Sequence, residues 1–171
     1  MPPIVLAALL LQTAPPPAQP KPNPAPCADA THHAFDFWIG KWDVTPYGGG
    51  PLVAHSLIES LYGGCAIREN WMPLKGGGGG SLSGYDAGDG KWHQTWVDAS
   101  GSRALFDGAA VDGAIVLTGP WRGSGPNGED GVVRMTYTRE PAGAVRQKGE
   151  VSLDGAASWK PSFDLLYSPA K

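Results

Sequence analysis

The chain has 171 residues, with 13 Lys and Arg against 16 Asp and Glu and a formal net charge of −3. This balance argues against nucleic acid or an anionic membrane surface as a required partner, because both attract basic proteins. Hydrophobic residues make up 42% of the chain, which is enough for one core in a single domain. The 25 Gly and 17 Pro residues cut the chain into short pieces and disfavour a helical architecture.

The first eighteen residues differ in composition from the rest of the chain. Residues 4–11 form an apolar run of the length found in signal peptides, and small, proline-rich sequence follows it. The run is too short to span a bilayer, so no transmembrane segment is predicted. We therefore predict a signal peptide at residues 1–18 and a periplasmic or secreted mature protein. A disordered N-terminal tail is the alternative.

The sequence at residues 19–30 is rich in Pro and Ala, as is typical of a semi-extended linker. Cys27 lies in it, and Cys65 is the only other cysteine of the chain. In an oxidising compartment such a pair most simply forms a disulfide. There is no Cys-x-x-Cys and no His close to either cysteine, so neither a reactive thiol nor a metal site is indicated.

A short helical turn is predicted next, with Thr31 as its N-cap. It would place Phe35 and Phe37 where they can plug one end of a barrel built from the strands that follow. The adjacent His32 and His33 resemble zinc ligands at first sight. Neighbouring residues on one turn point in different directions, and no third His is near, so a solvated helix start is the better interpretation.

Residues 31–168 are predicted to form one domain of about ten short strands, because runs rich in Val, Ile, Thr, Trp and Tyr alternate with turn residues. The Asp112-Gly113 and Asp154-Gly155 pairs suit tight hairpins. Closure into a single antiparallel up-and-down β-barrel would remove edge strands, and a two-sheet sandwich is the alternative. The strands are predicted at residues 38–45, 52–61, 65–72, 81–86, 91–98, 103–108, 114–118, 132–138, 144–153 and 159–167.

The opening Phe35-Asp36-Phe37-Trp38-Ile39-Gly40-Lys41-Trp42-Asp43-Val44 resembles that of exported bacterial lipocalin-like proteins, a domain-of-unknown-function family. Further matches follow in order at Gly64-Cys65, Glu69, Trp71, Tyr85-Asp86, residues 92–98, Val145-Arg146-Gln147 and residues 152–167. Gly40-Lys41-Trp42 also resembles the Gly-x-Trp of calycins, whose first-strand Trp closes the barrel floor. The resemblance implies a lipocalin-like barrel with Trp38 and Trp42 at its floor. It implies no activity, so no catalytic residue carries over.

Period-two alternation assigns strand residues to the two faces of the barrel. It places Trp92, Gln94 and Trp96 on one face, predicted to be inside, and aims Glu69 and Trp71 inward together. A buried carboxylate needs a partner, and Arg134 and Arg146 are the candidates for a bidentate pair with Glu69. The predicted site for a small, partly apolar ligand therefore comprises Trp71, Trp92, Trp96, Glu69, Gln94, Arg134 and Arg146. A filled core, in a structural or interaction protein of the cell envelope, is the alternative.

Catalysis has less support, because the chain has no recognised nucleophile or metalloprotease motif. Glu69 and His93 acting as acid and base on a bound ligand is a third hypothesis. The glycine run at residues 76–80 predicts a flexible hairpin loop, a candidate lid over the barrel mouth, rather than a phosphate site.

The predicted strand number also bears on whether the barrel holds a cofactor. The strand number resembles that of haem-binding nitrobindin-like proteins, which need an axial His late in the barrel. No His follows His93, which leaves His55 and His93 as the possible ligands in the barrel strands. No haem, metal or other cofactor is therefore predicted.

Overall fold

The computed structural model describes residues 26–171, which form a closed barrel of ten antiparallel strands. Each strand pairs with its neighbours in sequence, and β10 closes on β1 with Trp42 opposite Pro169. The predicted all-β up-and-down barrel is confirmed. The strands are β1 (Gly40–Pro46), β2 (Ala54–Leu61), β3 (Ala66–Pro73), β4 (Gly79–Asp86), β5 (Lys91–Asp98), β6 (Arg103–Val111), β7 (Ala114–Trp121), β8 (Gly131–Arg139), β9 (Val145–Ser152) and β10 (Lys160–Pro169).

The predicted signal peptide at residues 1–18 and the first part of the predicted linker, residues 19–25, lie outside the described residues. Among residues 26–171, no helix is long and apolar enough to cross a membrane. Helical structure in the described part of the chain consists of three short 3₁₀ turns, Asp36–Trp38, Tyr62–Gly64 and Pro141–Gly143.

The glycine run is in part strand rather than loop. Gly79 and Gly80 open β4, two residues before the predicted start at Ser81. A Cβ at Gly79 would lie 2.6 Å from the Trp96 ring, and one at Gly80 would lie 2.6 Å from the Glu69 carbonyl oxygen. These two glycines are therefore required by the close approach of neighbouring atoms, and the prediction of a flexible loop is wrong for Gly79 and Gly80.

The segment before β1 folds back into one end of the barrel. The amides of Thr31 and His32 donate to Oδ1 of Asp29 at 2.9 and 3.1 Å, so Asp29 rather than the predicted Thr31 caps the turn. Its other carboxylate oxygen lies 2.6 Å from Nδ1 of His32, whereas His33 bonds to a different carboxylate, Asp36. The two histidines thus stabilise the turn separately. The predicted solvated position holds for His33, whereas the His32 side chain is only 12% exposed and packs edge-on against Tyr85, with 5.1 Å between the ring centroids.

Aromatic rings fill this end, which we call the closed end. Phe35 is fully buried, as is Trp38, and their rings stack with centroids 5.0 Å apart. Phe35 also contacts Tyr137 and Trp92 edge-on, at 4.8 and 5.6 Å. Such geometries add to the burial of the rings. The predicted plugging is confirmed for Phe35, since among residues 26–39 only Phe35 and Trp38 are fully buried. Phe37 is only partly buried, and the Arg139 guanidinium lies 4.3 Å from its ring centroid.

Two tethers hold the plug in place. Nε1 of Trp42 in β1 donates a 2.9 Å hydrogen bond to the Trp38 carbonyl oxygen. The predicted disulfide is present: Cys27 and Cys65 are bonded, with Cα atoms 5.2 Å apart. Because Cys65 lies in the connection between β2 and β3, the disulfide joins the plug segment to the rim of the closed end.

Candidate functional site

A cavity of about 200 Å³ lies between the plug and the opposite end of the barrel. We call that opposite end the mouth; the connections at residues 47–53, 74–78, 99–102, 122–130 and 153–159 surround it. No segment among residues 26–171 inserts there as the plug does at the closed end. The cavity is lined by Glu69, Trp71, Gln94, Trp96, Phe106, Trp121, Met135, Tyr137, Gln147, Phe163, Leu165 and Tyr167. The alternative of a filled core is therefore wrong for this half of the barrel.

The wall near the mouth is aromatic. The rings of Trp96 and Trp121 lie 6.2 Å apart, and Phe106 meets Trp121 edge-on at 5.8 Å. Nε1 of Trp96 donates to Oδ2 of Asp98 at 3.0 Å, which anchors the indole at the rim. Trp71 and Phe163 complete this part of the wall, and like Trp96 and Trp121 they are only partly buried.

The same rings are positioned by glycines on adjacent strands. The Trp96 ring lies over Gly79 of β4, as described above, and the Phe163 ring lies over Gly149 of β9, where a Cβ would be 2.3 Å from a ring carbon. Any larger residue at either position would push the ring into the cavity or out of the wall. The glycines at these two strand positions therefore help to determine the shape of the cavity.

Glu69 supplies the acidic group of the cavity. Its side chain is buried, with 6% of the residue exposed. Ser56 Oγ donates to Oε1 at 3.2 Å, and Ser81 Oγ donates to Oε2 at 3.1 Å. No Lys, Arg or His of residues 26–171 forms an ion pair with it. Burial raises the pKa of Glu69 from its ordinary 4.5 to about 7, against the opposing effect of the hydrogen bonds from Ser81 and Ser56.

Neutral polar groups sit next to this carboxyl. Gln147 Nε2 donates to the Tyr137 hydroxyl at 2.9 Å, and the Tyr167 hydroxyl donates to Gln147 Oε1 at 2.7 Å. Gln94 Nε2 donates to Ser83 Oγ at 3.0 Å. Burial, and then the proximity of Glu69, raises the pKa of both tyrosines above the ordinary 10.0, so their hydroxyls stay neutral and act as hydrogen-bonding groups.

Four of the predicted site residues line the cavity: Glu69, Trp71, Gln94 and Trp96. Trp92 is inside, as predicted, but it packs in the closed end, with Phe35 5.6 Å and Tyr85 6.2 Å from its ring. It therefore belongs to the plugged core and does not border the cavity.

The two arginines lie on the outer face of the barrel. Arg134 Nη2 lies 2.8 Å from Oε2 of Glu150, and Arg146 Nη2 lies 2.6 Å from Oδ2 of Asp164. The prediction that one of them pairs with Glu69 is wrong. The physical reason is the alternation of the strand: Val133, Met135 and Tyr137 face inward along β8, which turns Arg134 outward.

Each outer arginine also stacks on an aromatic ring. The Arg134 guanidinium lies 4.2 Å from the Trp159 ring centroid, and the Arg146 guanidinium lies 3.7 Å from that of Tyr47. Cation–π contacts of this kind fix loop residues to strands. Both arginines therefore hold the connections at the mouth to the outer wall.

The hypothesis that Glu69 and His93 act together is wrong, because the two side chains are on opposite faces of the sheet. His93 Nδ1 lies 2.7 Å from Asp107, and Nε2 lies 3.1 Å from Asp89, both outside the barrel. His55 is also outside, 2.8 Å from Asp43. Neither histidine reaches the interior, where an axial haem ligand would have to lie.

One group of side chains has metal-ligand chemistry. Asp86, Asp89 and His93 place one ligand atom each within 4.8 Å of one another. Both ring nitrogens of His93 already face carboxylates, and the two aspartates accept the amides of Gly88 and Lys91 in the turn. The turn between β4 and β5 thus accounts for this exposed cluster without a metal.

Several lining residues were missed by the sequence analysis. Trp121 lies beyond the predicted strand at residues 114–118, because β7 continues through Pro120 to Trp121. Gln147 was missed although it alternates with the buried Val145 and Val151 on β9, a pattern that places it inside. The remaining missed residues are Phe106, Met135, Tyr137, Phe163, Leu165 and Tyr167.

In comparisons with known proteins, no family model and no curated protein matches this chain. The resemblance of residues 35–44 to exported lipocalin-like proteins stays a prediction. The function must therefore be inferred from the cavity itself.

Proposed function

We propose that this protein binds a small, partly apolar molecule inside the barrel. The observation that carries the proposal is the cavity of about 200 Å³, whose wall is mainly aromatic and which has a few polar groups at its inner end. Small-molecule sites have this composition. Because an apolar cavity of about 150 Å³ holds benzene, there is room here for one ring with a short substituent.

The wall is preorganised, which favours binding. Trp96 is held by Asp98 and by its contact with Gly79, and Phe163 is held over Gly149. A ligand that enters between such rings does not have to order them, so less of its binding energy is lost.

We also propose that binding takes place outside the cytoplasm. The disulfide between Cys27 and Cys65 supports this location, because such bonds persist in oxidising compartments. N-terminal sequencing of protein from the periplasm or the medium should find cleavage near residue 18. An intact N-terminus on cytoplasmic protein with two free thiols would contradict the proposal.

The binding proposal is tested by fluorine NMR with 4-fluorophenethyl alcohol, a neutral single-ring probe. Saturable binding to the parent protein is expected. Gln94→Trp places an indole in the cavity and should abolish it, whereas Thr95→Trp adds the same side chain on the outer face of the same strand and should retain it. Absence of saturable binding to the parent, or equal binding by Gln94→Trp, would refute the proposal.

Native mass spectrometry complements this test. Protein purified from its own cells, without unfolding, should carry a co-purifying small molecule that Gln94→Trp lacks. The mass difference would then give the mass of the natural ligand.

A further inference from the structure

We propose that the ligand of this cavity is a small primary amine in its cationic form, with Glu69 as its counter-ion. This inference rests on the binding function proposed above and gives its chemical class. It is carried by the position of one buried acidic group that has no cationic partner and faces an aromatic cavity.

The carboxyl of Glu69 is incompletely partnered. A carboxylate has about four acceptor sites, and Ser56 and Ser81 occupy one on each oxygen. Both donors are neutral. Buried charges in proteins are normally paired with an opposite charge, and the less buried acids Glu150 and Asp164 of this protein do have Arg partners. Glu69 is also part of the cavity wall, so an entering ligand can reach it.

The rest of the wall favours a cation over other ligands. Among residues 26–171 no Lys, Arg or His lines the cavity, so none of them would balance a carboxylate or phosphate, which Glu69 would repel. The rings of Trp71 and Tyr167, 6.2 Å apart, border the same space, and aromatic faces attract ammonium groups. An ammonium has three N–H donors, enough to reach Glu69 and the neutral Gln147 and Tyr137 groups beside it.

The charge state of the site follows from the groups that face Glu69. Ser56 on β2 and Ser81 on β4 do not titrate. Tyr167 on β10 and Tyr137 on β8 have pKa values above 10.0 and stay neutral. Glu69 is therefore the group that titrates near neutrality, with its pKa raised to about 7 by burial. A bound ammonium favours the carboxylate, so binding below this pH releases a proton.

Three probes of similar size separate the ligand classes in fluorine NMR titrations: 4-fluorophenethylamine, 4-fluorophenethyl alcohol and 4-fluorophenylacetic acid. At pH 8.5 the amine should bind the parent at least tenfold more tightly than the alcohol, and the acid should bind most weakly. Glu69→Gln should lose the amine preference and keep the alcohol affinity. Glu59→Gln removes the same charge from the outer face of β2, where Glu59 pairs with Arg68, and should behave like the parent.

Calorimetry in buffers of different ionisation enthalpy gives a second measurement. At pH 6 the amine should release most of one proton on binding, at pH 8.5 close to none, and the alcohol none at either pH. Equal affinity for amine and alcohol, or tighter binding of the acid, would overturn the amine inference and leave the binding function standing. Failure of the parent to bind any of the three would overturn both. The comparison among probes on the parent decides the matter even where Glu69→Gln does not fold.

Discussion

The closed end and the mouth of this barrel are both rich in aromatic residues, yet only one of them is packed. At the closed end Phe35 and Trp38 come from a segment that folds back into the barrel, and their rings lie about 5 Å from those of the strands. At the mouth the rings of Trp96 and Trp121 come from β5 and β7, on either side of β6, and are 6.2 Å apart. The difference teaches that a ten-stranded barrel is too wide for its own side chains to fill, so its interior is dense only where an extra segment enters.

Polar groups follow the same division. The closed end is so apolar that the indole N–H groups of Trp38 and Trp92 have no acceptor among the described residues. The groups bordering the cavity, in contrast, form hydrogen bonds with one another, and Glu69 is the most consequential of them. The following predictions test this contrast, from the largest effect to the smallest.

Trp42→Ala should have the largest effect, because the indole is buried in the closed end and donates to Trp38. Removing a core Trp costs about 3 to 5 kcal/mol of unfolding free energy. Trp96→Ala, at the mouth, should cost clearly less because its ring borders open space. Urea unfolding of both variants checks this, and equal losses would mean that the two ends are equally well packed.

The double variant Cys27→Ser, Cys65→Ser should lose about 3 to 4 kcal/mol of unfolding free energy, because the disulfide closes a loop with a sequence separation of 38. Because the bond holds the plug, hydrogen exchange should rise first in residues 31–38 and only weakly at the mouth. The measurement is urea unfolding combined with exchange mass spectrometry. Uniform loss of protection along the chain would contradict the role of the bond as a tether for the plug.

Glu69→Gln should change how stability depends on pH. The pKa of Glu69 is about 7 in the folded protein against an ordinary 4.5, so the folded state holds the proton more tightly between these values. Its contribution to stability therefore falls as the pH rises from about 4.5 to about 7 and is constant above. The unfolding free energy of Glu69→Gln, taken relative to that of the parent, should therefore rise by on the order of 2 to 3 kcal/mol between pH 5 and pH 8.

This pH effect is read from the difference between unfolding curves of variant and parent, which cancels the titration of all other groups. A pH-independent difference for Glu69→Gln would mean that the carboxyl is solvated in the folded protein.

Enlarging an interior residue should be tolerated at the cavity and penalised at the closed end. Ile115→Trp overpacks a fully buried site and should cost about 1 to 3 kcal/mol. Gln94→Trp has the cavity to occupy and should cost about 1 kcal/mol, mainly for the hydrogen bond to Ser83. Thermal unfolding of the two variants distinguishes the cases. A larger loss of stability for Gln94→Trp than for Ile115→Trp would mean that the free space lies at the closed end and not at the cavity.

Much of the fold was predictable from local sequence. Alternation in Trp92, Gln94 and Trp96, with turn residues on both sides, gave the bounds and the inner face of β5 correctly. The strand count and the hairpins follow from the same kind of information. The disulfide needed only the presence of two cysteines and the expectation of export.

The partners of the site residues were not predictable, because they depend on register. Ser81 lies opposite Glu69 only because β3 and β4 pair with that offset, and Glu150 lies opposite Arg134 for the same reason. No single strand carries this information. The cavity was not predictable either, because its volume depends on how far the plug extends into the barrel.

The pairing of β10 with β1 has a consequence for how the chain reaches this structure. Trp42 and Pro169 are partners although almost the whole domain separates them in sequence. Such a pairing carries a high loop-closure entropy, so the seam between the two strands should be the slowest contact to form during folding. Until β10 arrives, β1 and β9 present unpaired edges, and these intermediates are the species most prone to aggregate. A chaperone that shields these unpaired strand edges should therefore raise the yield of folded protein more than one that stabilises the core.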